Sequence, residues 1–272
     1  MRTSNLLRWL RHLIFTRGTY ASTIQMFRMY NYHRTPFEII LKNIFSILEK
    51  YEAKFTFSIV ASIVKQKLIE SIMKNGHEIA SHSLYHVKHE GLPIETQLHY
   101  ISKSLDLLSN YGADIKGFRA PYNSYDENTY RCLNKLNFTY DAGVRRGENY
   151  RKMFQPFHIM IDDVESKFVS FPVFNISDES LDELPQKIVL KSFIEHINNL
   201  PDNGLSVIQL HPIRIGQKKY LSFFEELVSH ITTIGCEMPT LTEAVNKKCK
   251  LPAVCLTGDI DCLSFKDYLK RI

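Results

Sequence analysis

The sequence predicts a parallel α/β barrel, on three observations. Strand-like and helix-like segments alternate through most of the chain, which implies βα units and parallel pairing. A length of 272 residues with 44% hydrophobic content is enough for one large core. Residue types that carry chemistry fall at the C-terminal ends of the predicted strands, where barrels of this kind build their sites. No internal repeat, low-complexity tract or linker interrupts the chain, so it reads as one domain over 1–272.

The first element, within 1–34, is a helix with Leu6, Leu7, Leu10, Leu13 and Ile14 on one side and a basic opposite face. It is expected to pack on the domain surface, with docking on anionic lipid as the alternative. Arg8 and Arg11 interrupt any signal-peptide core, and no stretch reaches transmembrane length. The expected location is therefore cytoplasmic or membrane-peripheral. Thr35-Pro36-Phe37-Glu38 reads as a helix start, with Thr35 as N-cap and Glu38 closing a capping box. The helix continues through Ile39, Ile40, Ile44, Ile47 and Leu48.

Lys54–Val60 follows as a strand rich in β-formers, then a helix from Val64 to Lys74 and a short strand reaching His82. Leu98–Leu108 reads as helix, Lys116–Arg119 as strand, and Glu127–Leu136 as helix. Arg145–Asp163 is the least regular stretch and is expected to be an inserted loop. Further strands are expected at Phe168–Val173, Leu205–Leu210 and Ala253–Leu256, with helices at Val189–Asn198 and Tyr220–Thr233.

Composition excludes some functions. A net charge of +5, with no run of five like charges, gives no reason to expect nucleic-acid binding. Five cysteines cannot all pair internally. Cys249, Cys255 and Cys262 lack CxxC spacing and a histidine nearby in sequence, so reduced thiols in a reducing compartment are expected.

Four polar residues end predicted strands: His82, Arg119, His211 and Asp259. His82 and His86 are one helical turn apart and can face one ion. His77 and His89 flank them as surface or supporting residues, and Ser83 is placed to hold a loop or a ligand. A hydrolytic site on two imidazoles needs a carboxylate, yet the first aspartate in the chain is Asp106. The best candidates, Asp259 and Asp261, lie near the other end, in Leu256-Thr257-Gly258-Asp259-Ile260-Asp261.

His82-Ser83-Leu84-Tyr85-His86, preceded by Asn75-Gly76-His77-Glu78-Ile79, resembles the metal motif of the polysaccharide deacetylase family, the NodB-homology domain. Gly117-Phe118-Arg119-Ala120-Pro121-Tyr122 resembles that family's arginine-proline-aromatic motif, and Leu210-His211-Pro212 its catalytic-histidine motif. The order and spacing match from about Thr35 to Ala244. The resemblance implies a distorted (β/α) barrel of seven or eight mostly parallel strands. It also implies removal of acyl groups from amino sugars with a divalent metal, often zinc.

The family carries an aspartate motif on its first strand, but here Met26–His33 has no acid. Ala253–Asp261 resembles that missing strand, which implies a circularly permuted barrel with 251–272 supplying the first strand and helix. The first and last strands of a barrel are neighbours, so such a relocation cuts few contacts.

The expected site follows. His82, His86 and Asp261 hold the metal, and Asp259 is the general base; the two aspartates could exchange roles. Iron, cobalt or nickel would suit the same donors. Arg119 is expected to grip the base carboxylate by a bidentate ion pair. His211, protonated, donates to the leaving nitrogen, with Asp141 a candidate to tune it. By resemblance, the Tyr122 N–H is an oxyanion donor. Tyr85, Tyr122 and Tyr125 are candidate sugar platforms, and Pro121 lines the substrate region. The partner is a glycan or amino sugar. The competing readings are a non-catalytic glycan-binding barrel and a peripheral membrane protein held by Leu6–Phe15.

Overall fold

A computed structural model describes residues 23–24, 27–143, 154–171, 173–174 and 176–270. The expected helix at Leu6–Phe15 lies outside the described residues. The strands are β1 (Phe55–Ile59), β2 (Glu78–Ser81), β3 (Gly117–Phe118), β4 (Tyr140–Asp141), β5 (Phe157–Ile161), β6 (Val164–Ser170), β7 (Leu205–Leu210) and β8 (Ala253–Ile260). They form one sheet in the order β5-β6-β4-β3-β2-β1-β8-β7. All neighbours are parallel except β5 with β6. The curved sheet comes back on itself through a single parallel bridge, Val173 to Val207. The expected distorted barrel of mostly parallel strands is thus observed.

β8 is longer than expected and lies between β1 and β7. It pairs Phe55 with Leu256 on one side and Leu205 with Ala253 on the other. All eight of its residues are buried. Strand side chains alternate between faces, and the alternation sorts them cleanly. Val254, Leu256 and Ile260 join the core under the helices. Ala253 and Cys255 join an inner core with Ala80, Tyr140, Leu205 and Val207. Thr257 and Asp259 continue the inward series, as do Gln209 within β7, His211 just beyond it, His82 beyond β2 and Arg119 beyond β3. Gly258 is required where it stands, because a Cβ there would meet the Phe55 ring at 2.8 Å and Pro212 Cδ at 2.9 Å.

Three expectations are corrected. Arg145–Asp163 is not wholly loop: Phe157–Ile161 is an edge strand paired antiparallel with β6. Asp162 and Asp163, at φ +51° and +62°, supply the left-handed two-residue turn that such hairpins favour. Thr35 does not cap the helix Phe37–Lys50. Pro36 occupies the cap position with no side-chain cap bond, and Thr35 Oγ1 instead donates to Gln217 Oε1 at 3.0 Å. His77 is not on the surface; it is buried beside Phe45 and Phe57, and burial pushes its imidazole down to about 4.

Among the described residues, no helix is long and apolar enough to cross a membrane. All five cysteines are free, as expected. Cys262 does have a histidine near it in space, with its Sγ 3.2 Å from His33 Nε2.

Candidate active site

After β2 the chain turns sharply at Ser83, which has φ +68°. The turn is tied down by Ala61 N–H donating to Ser83 O and by Ser83 Oγ lying 2.9 Å from His89 Nε2. Burial holds His89 down at about 4, so this support is a neutral imidazole. The turn returns His86 to His82, with ring centroids 5.2 Å apart. His82 Nδ1 lies 2.7 Å from the Arg119 carbonyl. A carbonyl can only accept, so Nδ1 carries the proton and the Nε2 lone pair is left for a ligand.

Asp261, just beyond β8, completes the group. Its Oδ1 is 3.4 Å from both His82 Nε2 and His86 Nε2. The three donor atoms lie within 4.8 Å of one another, which makes His82, His86 and Asp261 a candidate metal site. Two imidazole nitrogens and one carboxylate fit a catalytic divalent ion, leaving coordination positions for water and substrate. A groove of about 1760 Å³ opens beside His86 and Asp261 and runs along the helix Phe37–Lys50, with Tyr85 and Lys266 on its walls.

Asp259 sits two residues earlier on the same face. Its Oδ1 accepts from Arg119 Nη1 at 2.7 Å and its Oδ2 from Gln209 Nε2 at 2.6 Å. Burial acts to raise its carboxyl, but Arg119, with His82 and His211, outweighs burial and holds it below the usual carboxylate range. The expected bidentate pair is corrected here. Arg119 spends its fork on three partners: Asp259, Thr257 Oγ1 at 2.7 Å and the Ala142 carbonyl. Gln209 escaped the sequence reading, although it shares the inward parity of His211.

His211 Nδ1 donates to Asp178 Oδ1 at 2.7 Å, and its main-chain N–H donates to Asp178 Oδ2 at 3.0 Å. Burial lowers the imidazole, but Asp178 more than offsets this and raises it to about 9. The carboxylate on His211 is therefore Asp178 and not Asp141, whose oxygens accept from Ser170 Oγ and the Gly143 N–H. Asp178 was missed because Ser177-Asp178-Glu179-Ser180 reads as a solvated turn. In the fold it starts a short 3-10 helix and is fully buried.

The aromatic candidates divide. Tyr122 is 54% exposed at φ +59°, and its ring lies 4.3 Å from that of His86, centroid to centroid. Tyr85 is 47% exposed and packs edge-on against Tyr100. Tyr125 does not fit a sugar platform: it stacks on Tyr130, meets Phe118 edge-on, and accepts the Ala120 N–H at its hydroxyl. Pro121 is buried in the turn beneath Tyr122 and presents no open face.

The chain is thus a distorted, mostly parallel barrel with a His-His-Asp cluster and an Arg-Asp pair at its strand ends. Residues 32–140 match the family model described as polysaccharide deacetylase. No curated protein sequence matches the chain. Among solved structures, a Mycobacterium smegmatis protein assigned to the polysaccharide deacetylases aligns over 93% of this chain and 83% of its own, with a TM-score of 0.63 at 17% identity. A family 4 acetyl xylan esterase from Clostridium thermocellum, solved in complex with a cobalt ion, aligns over 78% and 86%, with a TM-score of 0.56 at 16% identity. A CE4 family pseudoenzyme from Bacillus anthracis aligns over 84% and 66%, with a TM-score of 0.55 at 12% identity. The resemblance read from the motifs is borne out in the fold, and the family model matches over residues 32–140.

Proposed function

We propose that this chain is a metal-dependent hydrolase that removes an acyl group, acetyl in the simplest case, from an N-acylated sugar or polysaccharide. The observation that carries the reading is the convergence of Asp261 on His82 and His86, each 3.4 Å away. The competing reading as a non-catalytic barrel draws on the pseudoenzyme neighbour and on an undocked final strand. Here that strand is paired on both edges.

His82, His86 and Asp261 would hold the ion, with zinc first and iron, cobalt or nickel acceptable to the same donors. Bound there, the metal supplies a polarised acyl carbonyl and a water acidic enough to attack it. Asp259 would serve as general base, the group that holds the proton released by the attacking water. Arg119 and Gln209 keep the Asp259 carboxylate ionised and aimed into the site. His211, charged at neutral pH because of Asp178, gives its proton to the departing nitrogen. The Tyr122 N–H is the oxyanion donor in this scheme, while the exposed rings of Tyr122 and Tyr85 offer faces for sugar.

The whole chain acts as one barrel domain, permuted so that 251–272 provides the family's first strand and helix. In support, Phe265 packs against Tyr30 at 5.7 Å, bringing the end of the described chain beside the segment that leads into Phe37–Lys50.

The test is metal stripping followed by re-addition. Chelation should abolish acetate release from N-acetylated oligosaccharides, and zinc or cobalt should restore it. Asp261→Ala should lose at least about 100-fold in kcat/KM and fail to show the cobalt absorption band. Full activity in chelator with no bound metal would overturn the reading.

A further inference from the structure

The buried charge behind His211 extends beyond Asp178. Arg214, 6% exposed, directs its guanidinium at three groups, Tyr32 and the two aspartates that bound the 3-10 turn Asp178–Asp182. Its Nε donates to the Tyr32 hydroxyl at 3.2 Å, and its Nη2 donates to Asp182 Oδ2 at 3.0 Å. Its Nη1, buried without a hydrogen bond, faces Asp178 Oδ2 at 3.5 Å. Tyr32 closes the loop by donating to Asp182 Oδ1, and the guanidinium carbon stands 5.0 Å over the Tyr32 ring. Asp178 is thus shared between two cations, His211 and Arg214.

Sharing has a direction. A cation beside a carboxylate weakens the field that the carboxylate exerts on its other partner. A proton donor must also release its proton, so an imidazole held too tightly by its carboxylate is a poor acid. We propose that Arg214 is a positioning residue: anchored by Tyr32 and Asp182, it fixes Asp178 against His211 and limits how tightly His211 holds its proton. This rests on the reading of His211 as proton donor. The segment around Tyr32, which precedes every described strand, thereby supports the reaction without touching substrate.

The groups facing His211 are Asp178 and Glu179 from the 3-10 turn, Arg214 from its own following helix, and Asp259 from β8. Tyr32 and Asp182 act on it through Arg214. Two substitutions therefore have opposite signs. Arg214→Met removes the competing cation and should raise the proton affinity of His211. Asp182→Asn removes an anion from Arg214, leaves its charge more available to Asp178, and should lower that affinity.

The measurement is a direct NMR titration of the His211 imidazole in the full chain, with the resonance assigned by His211→Gln. Arg214→Met should raise the proton affinity about threefold or more, Asp182→Asn should lower it by a similar factor, and Arg214→Lys should return it toward the parent value. No change in either variant, or movement of both in one direction, would overturn the proposal. If Arg214→Met does not melt cooperatively, Asp182→Asn decides alone: a fall supports the proposal, and no change or a rise overturns it. The titration needs no turnover. Shifts of the expected sign in a chain without deacylase activity would keep this inference and remove the catalytic reading.

Discussion

Asp178 binds His211 through the ring and the main chain at once, so the imidazole cannot swing away from it. Two outcomes follow at this scale. His211→Gln should lower kcat by about 100-fold or more, with little change in KM, because proton donation matters only as the bond breaks. An unchanged kcat would exclude His211 as donor. In the parent, kcat/KM should fall as pH rises through about 9, where His211 loses its proton. His211→Gln should lack that limb. The sequence made His82, His86, Arg119, His211, Asp259 and Asp261 legible because each ends a strand or sits close to the end of one. Asp178 and Gln209 were not legible, for different reasons. An aspartate in a Ser-Asp-Glu-Ser run looks solvated until long-range packing buries it. A glutamine inside a strand carries no signal except its parity with His211.

Elements respond to β8 first, because it is held on both edges. Gly258→Ala should destabilise the fold by about 1–3 kcal/mol, since the new Cβ must displace the Phe55 ring or Pro212. Urea unfolding should show a lower midpoint with an unchanged slope, and a parent-like midpoint would mean the two rings yield freely. Moving 251–272 in front of residue 27 by a short linker tests the permutation directly. The rearranged chain should fold and bind metal as the parent does, because β8 keeps its pairing with both β1 and β7. The contact of Phe265 with Tyr30 already brings the two segments together. Loss of cooperative melting would count against it. Element boundaries were legible where periodicity was strong, as at Leu205–Leu210. They failed where tertiary contacts decide. Thr35 has the residue type of a cap but is drawn to Gln217, and Phe157–Ile161 becomes a strand only because β6 lies beside it.

Across the whole molecule, buried histidines set a window of stability in pH. His77 and His89 are held at about 4, well below the ordinary imidazole value, because burial penalises their charged forms. Their contribution is complete above about 6.5 and is lost as pH falls toward 4, by up to about 1.4 kcal/mol per pH unit for each. His211 has the opposite sign. Its folded value is raised, so its contribution is complete below about 6.5 and is lost as pH rises through about 9. Thermal midpoints should therefore peak near neutrality and fall on both sides. His77→Phe, which fills the same space beside Phe45 and Phe57 without titrating, should soften the acid side alone. A flat profile between pH 4 and 6.5 would contradict the neutral assignment.

The position of β8 also governs when the protein comes into being. Phe55 pairs with Leu256, about 200 residues later, so the sheet stays split between β1 and β7 until nearly all of the described chain has left the ribosome. A nascent or prematurely terminated chain holds its imidazoles without either carboxylate. Asp259 and Asp261 thus join the imidazoles only once β8 has emerged and paired with β1 and β7.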